Sequence, residues 1–360
     1  MRLVVLNNTR GSISGGYQKY LENIIPIFSE HKDVSEMQVF VPEDIYDSYR
    51  NFDYYIPFNN RRELINKVIY FAPDIIFCPS LQYTYKWQIP FVVMIRNMEP
   101  LAYNNKNNPL SEKIKNYLRK VLTKTACLNS NGIIAVSDYV KEYIIDNFHI
   151  DDSKIKNIYH GIEKNNISSY KKFSENQIFT AGSIRPARGL EDIISAFSLL
   201  KNKYPLLKLV IAGKVEPTML NYKKKLNKLI SSCGLTKRII WLNEVKRQKM
   251  LECFSLSKVF VMTSRAEACP NIALEAMQNA NFIISTSTKP MPEFFRDGAI
   301  YYTERNHIDL ANKLEHMLSL TNNDLKKYKS KNIQTLNKFN WDTCANQTIS
   351  FLNKVIKSSD

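Results

Sequence analysis

The sequence predicts two α/β domains, each a doubly wound, Rossmann-like parallel sheet, the two facing across a cleft. Three observations carry this. The chain has 360 residues, about twice the length of a typical single domain. Short apolar runs alternate with longer amphipathic stretches throughout, and the runs are continuously apolar, as in strands covered by helices on both faces. Finally, the pattern stops at a polar stretch, EKNNISSYKKFSEN (163–176), and then begins again.

The strands expected before that stretch are RLVVLN (2–7), MQVFV (37–41), DIIFC (74–78), PFVVMI (90–95), GIIAV (132–136) and KIKNIY (154–159). After it come QIFTA (177–181), LKLVIA (207–212), RIIWL (238–242), KVFVM (258–262) and FIIST (282–286). Helices are expected at YQKYLENIIPIF (17–28), GLEDIISAFSLL (189–200) and NIALEAMQNA (271–280), where apolar residues recur at helical spacing. The polar stretch reads as the linker.

Composition narrows the function classes. Hydrophobic residues at 44% and charged residues at 23% suit a globular chain able to bury a core. No window approaches the roughly 18 uncharged apolar residues of a membrane span, and the amino terminus enters a strand without a leader. A cytoplasmic protein, peripheral on a membrane, is the expectation. Six scattered cysteines form no C-x-x-C pair and have no histidine at ligand spacing, so reduced thiols and no metal site are expected. The net charge of +16 is unevenly spread: residues 1–164 hold 20 basic against 18 acidic residues, leaving +14 for 165–360. Anionic partners follow, such as nucleotide phosphates or anionic lipid. Nucleic acid is the rival, prompted by YKKKLNK (222–228) and DLKKYKSK (324–331). Those lysines have the spacing of solvated helix faces, and no aromatic–basic RNA signature or zinc module accompanies them.

In doubly wound sheets ligands sit where strands run into helix N-termini, and three such loops stand out. In NNTRGSISGGYQKYL (7–21), Gly15 and Gly16 would let a phosphate approach backbone N–H groups, or form a plain flexible turn. The spacing fits neither G-x-G-x-x-G nor a Walker loop. In FTAGSIRPARGLEDIISAF (179–197), Gly182, Ser183, Arg185 and Arg188 form a basic loop suited to a diphosphate, with solvated arginines as the alternative. In RAEACPNIALEAM (265–277), a strand, a loop and a helix carry Glu267 and Glu275 eight positions apart. A carboxylate at Glu275 can accept hydrogen bonds from a ribose diol; taken alone, it is also an ordinary glutamate near a helix start.

Together and in this order the loops resemble the family-4 glycosyltransferases, retaining enzymes of GT-B architecture. The motif carrying most of the resemblance is Glu, seven residues, Glu, then Ala-Met, here Glu267 to Glu275 in EACPNIALEAM. YHGIE (159–163), PMPEFFRDGAIYY (290–302) and FNWD (339–342) are similar to further family segments, and the resemblance covers nearly the whole chain. It implies a first, acceptor-binding domain of residues 1–164 plus a returning helix at 342–360. The second domain, 165–341, is expected to bind the nucleotide-sugar. It further implies that Glu275 holds the ribose, that Glu267 lies beside the transferred sugar, that amides near Asn271 and Ile272 meet sugar or phosphate, and that Arg188 binds the diphosphate. The chain departs from the family in two places. Ser183 stands where an arginine is usual, leaving Arg185 to compensate, and Asn97 stands in MIRNMEP (94–100) where many members have a histidine. His160 reads as a structural contact.

The implied activity is a hexosyltransferase, moving a sugar from a UDP- or GDP-linked donor to a saccharide acceptor, lipid-linked, in cell-surface polysaccharide, lipopolysaccharide or glycoconjugate synthesis. A GT-B epimerase or phosphorylase is the alternative. No Asp-x-Asp occurs, so no cofactor or divalent metal is expected beyond the donor itself. Catalysis would rest on positive potential from Arg188, Arg185 and the Gly15–Gly16 amides as negative charge builds on the diphosphate. In NPLSEKIKNYLRKVLTKT (108–125), Leu110, Ile114, Tyr117, Leu118, Val121 and Leu122 make one helical face among Lys113, Lys115, Arg119, Lys120 and Lys124. That stretch reads either as core packing or as a surface for anionic lipid and a lipid-linked acceptor.

Overall fold

A computed structural model describes residues 1–9, 15–47, 52–80, 85–103, 108–163 and 174–359. The chain separates into two compact units. The first comprises Met1–Leu101, Lys115–Glu163 and Phe339–Asp360; the second comprises Ala102–Ile114 and Lys164–Lys338. Residues 102–114, which the expected division put in the first domain, therefore group with the second.

The first unit is built on seven strands, β1 (Arg2–Leu6), β2 (Glu36–Pro42), β3 (Tyr55–Phe58), β4 (Ile75–Cys78), β5 (Phe91–Ile95), β6 (Gly132–Ala135) and β7 (Ile155–Asn157). All pairings are parallel, in the order β3-β2-β1-β4-β5-β6-β7. Every residue of β4, β5 and β6 is buried, which is why these runs read as unbroken apolar segments. Around them lie α1 (Gly15–Ser29), α2 (Glu43–Tyr46), α3 (Arg61–Phe71), α4 (Glu99–Ala102) and α6 (Asp138–Phe148), together with α5 (Leu110–Asn129) from Lys115 onward, its first turn grouping with the second unit. Asn60 and Ser137 cap α3 and α6 by accepting from the amides of Glu63 and Val140.

The second unit has six strands, β8 (Ser174–Ala181), β9 (Lys208–Ala212), β10 (Ile239–Asn243), β11 (Ser257–Met262), β12 (Phe282–Thr286) and β13 (Ile300–Tyr302). They pair in parallel in the order β10-β9-β8-β11-β12-β13. Its helices are α7 (Leu190–Leu200), α8 (Leu220–Ser232), α9 (Arg247–Leu256), α10 (Asn271–Asn279), α11 (Met291–Phe295), α12 (His307–Ser319) and α13 (Asn322–Leu336). The chain then returns to the first unit as α14 (Trp341–Lys357), which packs against α1.

Two strands escaped the sequence reading, and both are edges. β3 contains Pro57, tolerated where one side of the strand is unpaired; β13 is only three residues long. Of the expected linker, residues 164–173 lie outside the described residues, and Ser174–Asn176 already belong to β8.

The helix α5 decides one question left open above. Of its twenty residues only Ala126 and Cys127 are buried. Leu110 is 72% exposed and Tyr117 69%, and Ile114, Leu118, Val121, Leu122 and Leu128 are exposed as well. The apolar face of α5 is not core.

Candidate active site

In each sheet the chain reverses direction of strand addition at one place, where loops diverge and leave room for a ligand. In the second unit this falls between β8 and β11. The loops leaving those two neighbouring strands are 182–189 and 263–270, the basic loop and the first half of the glutamate motif.

The first loop is shaped by glycine where the backbone requires it. Gly182 has φ +134°, and a Cβ there would lie 3.0 Å from Arg188 Nε, so the arginine side chain crosses the space that a larger residue would fill. Its amide donates to Ala212 O at 3.0 Å, and the Ile184 amide donates to Lys214 O at 2.9 Å, tying the loop to the end of β9. Ser183 and Arg185 are half-buried, and a 3-10 turn, Pro186–Arg188, delivers the chain to α7.

Arg188 is the centre of the arrangement. Its Nη1 forms an ion pair with Glu267 Oε1 and donates to Ser264 Oγ at 2.9 Å, and its carbonyl accepts from Thr263 Oγ1 at 2.5 Å. The side chains are 23% and 13% exposed. Two of the residues singled out from the sequence thus meet directly, although 79 positions separate them. Asn271 and Ile272, both half-buried, open α10, and in its first turn the Ala273 and Leu274 amides donate to Pro270 O. Glu275 is half-buried in the second turn, its carbonyl accepting from Asn279 Nδ2 at 2.8 Å.

Beneath these loops lies a charged network that the sequence reading missed. Arg265, 7% exposed, directs Nη2 at Asp192 Oδ1 (2.8 Å), with Glu191 Oε2 at 3.6 Å, while its Nε lies 3.7 Å from Glu304 Oε1. The other oxygen of Asp192 accepts from Tyr302 Oη at 3.2 Å and from the Arg305 amide at 3.0 Å. Burial works against the Arg265 cation, but the Asp192 carboxylate, Tyr103 hydroxyl and Glu191 carboxylate outweigh it and hold its pKa above the ordinary arginine value. Burial and then the Asp192 charge raise the Tyr302 hydroxyl, which stays a donor. The only signal in the sequence was the acidic pair opening α7, which reads as favourable helix-start charge.

The first unit is of another kind. Gly15 and Gly16 begin α1 and are exposed; residues 10–14 of that glycine loop lie outside the described residues. A Cβ on Gly15 would meet nothing within 4 Å. Asn97 is exposed after β5, and its Oδ1 accepts from the Glu99 amide at 3.1 Å, starting α4. Its neighbour Arg96 lies 3.6 Å over the Tyr17 ring and donates to Pro79 O at 3.1 Å. His160 is buried against Tyr20 (ring centroids 4.9 Å apart) and Trp341 (6.0 Å), and burial, then Arg96, lowers its pKa to about 3. It is a neutral packing residue. A Cβ on the adjacent Gly161 would collide with the Trp341 backbone.

Among the described residues no cluster of three His, Cys, Asp or Glu could hold a metal ion. All six cysteines are free thiols, and burial pushes Cys127 and Cys344 up to about 12. Among those residues, too, no helix is long and apolar enough to cross a membrane.

Comparison with known proteins agrees with this geometry. A model described as "Glycosyl transferases group 1" matches residues 161–335, and one described as "Glycosyltransferase Family 4" matches residues 27–166. The O-antigen chain mannosyltransferase RfbU of Salmonella typhimurium is 22% identical over 250 residues, 68% of this chain and 67% of RfbU. The serotype-specific mannosyltransferase WbdA of Escherichia coli is 23% identical over 247 residues, 64% of this chain but only 29% of WbdA. Among solved structures, Anabaena HepE in complex with UDP superposes with a TM-score of 0.75 at 16% identity, covering 98% of this chain and 100% of HepE. Staphylococcus aureus TarM superposes with a TM-score of 0.64 at 17% identity, over 80% of this chain and 58% of TarM. The paired loops around Arg188 and Glu267, the two Rossmann-like sheets and both family matches agree: the chain belongs to glycosyltransferase family 4, with the GT-B fold.

Proposed function

We propose that the protein is a retaining hexosyltransferase that takes a sugar from a UDP- or GDP-linked donor and passes it to a saccharide acceptor carried on a lipid. The observation that carries this reading is the Arg188–Glu267 ion pair on the two loops flanking the β8/β11 switch point. Breaking the bond between the anomeric carbon and phosphate leaves negative charge on the diphosphate and positive charge on the sugar. Arg188, fixed by Glu267 and Ser264 before any ligand arrives, needs little reorganisation to meet the first. Glu267, beside it, places a carboxylate where the sugar's positive charge would develop. Glu275, in the second turn of α10, is assigned the ribose diol, and the Asn271 and Ile272 amides, at the positive end of that helix, the sugar or phosphate oxygens. Ser183 and Arg185 line the same loop as Arg188. The reaction is proposed to need no divalent cation, because the cationic loop supplies the charge. Gly15, Gly16 and Asn97 are assigned to donor phosphate and sugar from the first unit. The names of RfbU and WbdA favour mannose as the sugar, whereas HepE was solved with UDP.

A panel of nucleoside diphosphates followed by thermal unfolding tests this. One base is expected to stabilise the wild type, and that stabilisation should vanish in Glu275→Ala. Release of the nucleoside diphosphate should require acceptor and persist in excess chelator. Release without acceptor would point to an epimerase or hydrolase instead, and a loss of turnover reversed by added metal would remove the metal-free mechanism.

A second observation favours a membrane setting. The exposed face of α5 runs Leu110, Ile114, Tyr117, Leu118, Val121, Leu122, and five basic residues against one acidic share the helix. The rest of residues 1–164 sums to a small negative charge, so the positive charge is concentrated there. Apolar area combined with adjacent cations is the pairing that holds a helix at an anionic bilayer surface, on the cytoplasmic face in this reading. Flotation with anionic vesicles should recover the protein, neutral vesicles far less, and Tyr117→Glu/Leu118→Glu neither. Equal recovery from neutral vesicles would discard the electrostatic part.

A further inference from the structure

We infer that Arg265 is a positioning residue for transfer: it holds the two donor-side loops in the register that brings Arg188 to Glu267. The inference rests on the donor-site reading of that pair. Arg265 makes its contacts almost entirely with the other loop and the helix behind it. Its amide donates to Ala187 O at 2.8 Å, its Nη1 to Pro186 O at 3.4 Å, and its Nη2 to Asp192 Oδ1 at 2.8 Å. Pro186 O also accepts from Tyr103 Oη at 3.0 Å and from the Gly189 amide at 3.1 Å, so the turn that carries Arg188 is held on several sides. The fit is close: Gly189 has φ +60°, and a Cβ there would lie 2.5 Å from Thr263 O and 3.0 Å from Arg265 Nε. Arg188 is therefore one or two residues from Pro186 and Ala187, which Arg265 grips, and Glu267 is two residues from Arg265 itself.

The chemistry of the contacts calls for a guanidinium. Pro186 O and Asp192 Oδ1 lie at two different nitrogens of one planar fork, a division that a lysine ammonium on a flexible stem cannot reproduce. Asp192 is buried and carries Tyr302 and the Arg305 amide on its second oxygen, so it cannot turn to follow a displaced partner. A change at Arg265 should therefore move the loops rather than be absorbed by Asp192. A shift of about 1 Å in a positioned group can cost about 10²-fold in rate.

The test uses the full chain with four enzymes: wild type, Arg265→Lys, Arg188→Ala and the double variant. Arg265→Lys is expected to lower kcat about 10- to 100-fold while donor KM changes by less than about threefold and the unfolding temperature stays close to wild type. In the Arg188→Ala background the same change should cost less than about threefold, because its effect passes through the missing arginine. An unchanged kcat in Arg265→Lys, or a full multiplicative loss in the double variant, would overturn the inference. Should Arg265→Lys fail to fold, Asp192→Asn removes the partner's charge at nearly equal volume and is held to the same outcomes. An Arg188→Ala enzyme with wild-type kcat would instead sink the donor-site reading, a result separable from any outcome at Arg265.

Discussion

The carboxyl ends of the two sheets are furnished in opposite ways. In the second unit, loops 182–189 and 263–270 are joined by charge: Arg188 to Glu267, Arg265 to Asp192, each buried to a large extent. In the first unit, the matching region is mainly aromatic, with the Arg96 guanidinium over Tyr17 and the neutral His160 between Tyr20 and Trp341. The difference teaches what each end is suited to hold. For the proposed nucleotide-sugar donor, a rigid array of hydrogen-bond donors would serve the dianionic diphosphate. The first unit instead presents the exposed Asn97 next to an arginine held against an aromatic ring, an end with far less fixed charge.

The comparison can be broken most easily at Arg188. Arg188→Ala should lower kcat about 10²- to 10³-fold, the loss typical of one preorganised donor at a developing anion. A fall below tenfold would mean that the charged end is structural only. Next, Glu275→Gln should raise donor KM about 10- to 100-fold with kcat little changed, since hydrogen bonds to a charged group contribute about 1.5–3 kcal/mol. A kcat effect without a KM effect would move Glu275 from binding to chemistry.

On the other side, His160 tests the aromatic end. Its folded pKa of about 3 lies below the ordinary 6.5, so the unfolded chain takes up a proton that the folded one refuses. Stability is then full above pH 6.5 and lost as pH falls, by about 1.4 kcal/mol per unit, or about 2 kcal/mol by pH 5. Denaturant unfolding at pH 7 and pH 5 should show this, and His160→Phe should flatten the slope. The smallest effect is expected at Asn97. Its Oδ1 is already engaged by the Glu99 amide, so Asn97→Ala should cost about tenfold or less in kcat/KM with acceptor saturating. A loss as large as that of Arg188→Ala would place the chemistry in the first unit.

Much of the fold was legible because buried parallel strands need apolar residues on both faces, as in Phe91–Ile95 and Ser257–Met262. Two edge strands were not: Tyr55–Phe58 carries a proline, and Ile300–Tyr302 is only three residues long. At the site, the glycines and arginines of 182–189 and the two glutamates stood out by type and spacing. Arg265 stood in the same quoted stretch and went unassigned, because its partner Asp192 lies 73 positions away and looks like any acid at a helix start. Likewise, the apolar residues of α5 by themselves suggest core packing and only the basic residues among them favour a surface, since periodicity records a face and not what covers it.

What the sequence determined by itself is therefore local: which segments are strands, which loops follow them, and which of those loops carry charge. Strand order was left to the tertiary structure, and with it the pairing of β8 with β11 that sets Arg188 against Glu267. The reason is physical. Periodicity and loop chemistry depend on neighbours in the chain, whereas an ion pair, a buried network or an exposed face depends on which distant segments the fold brings together.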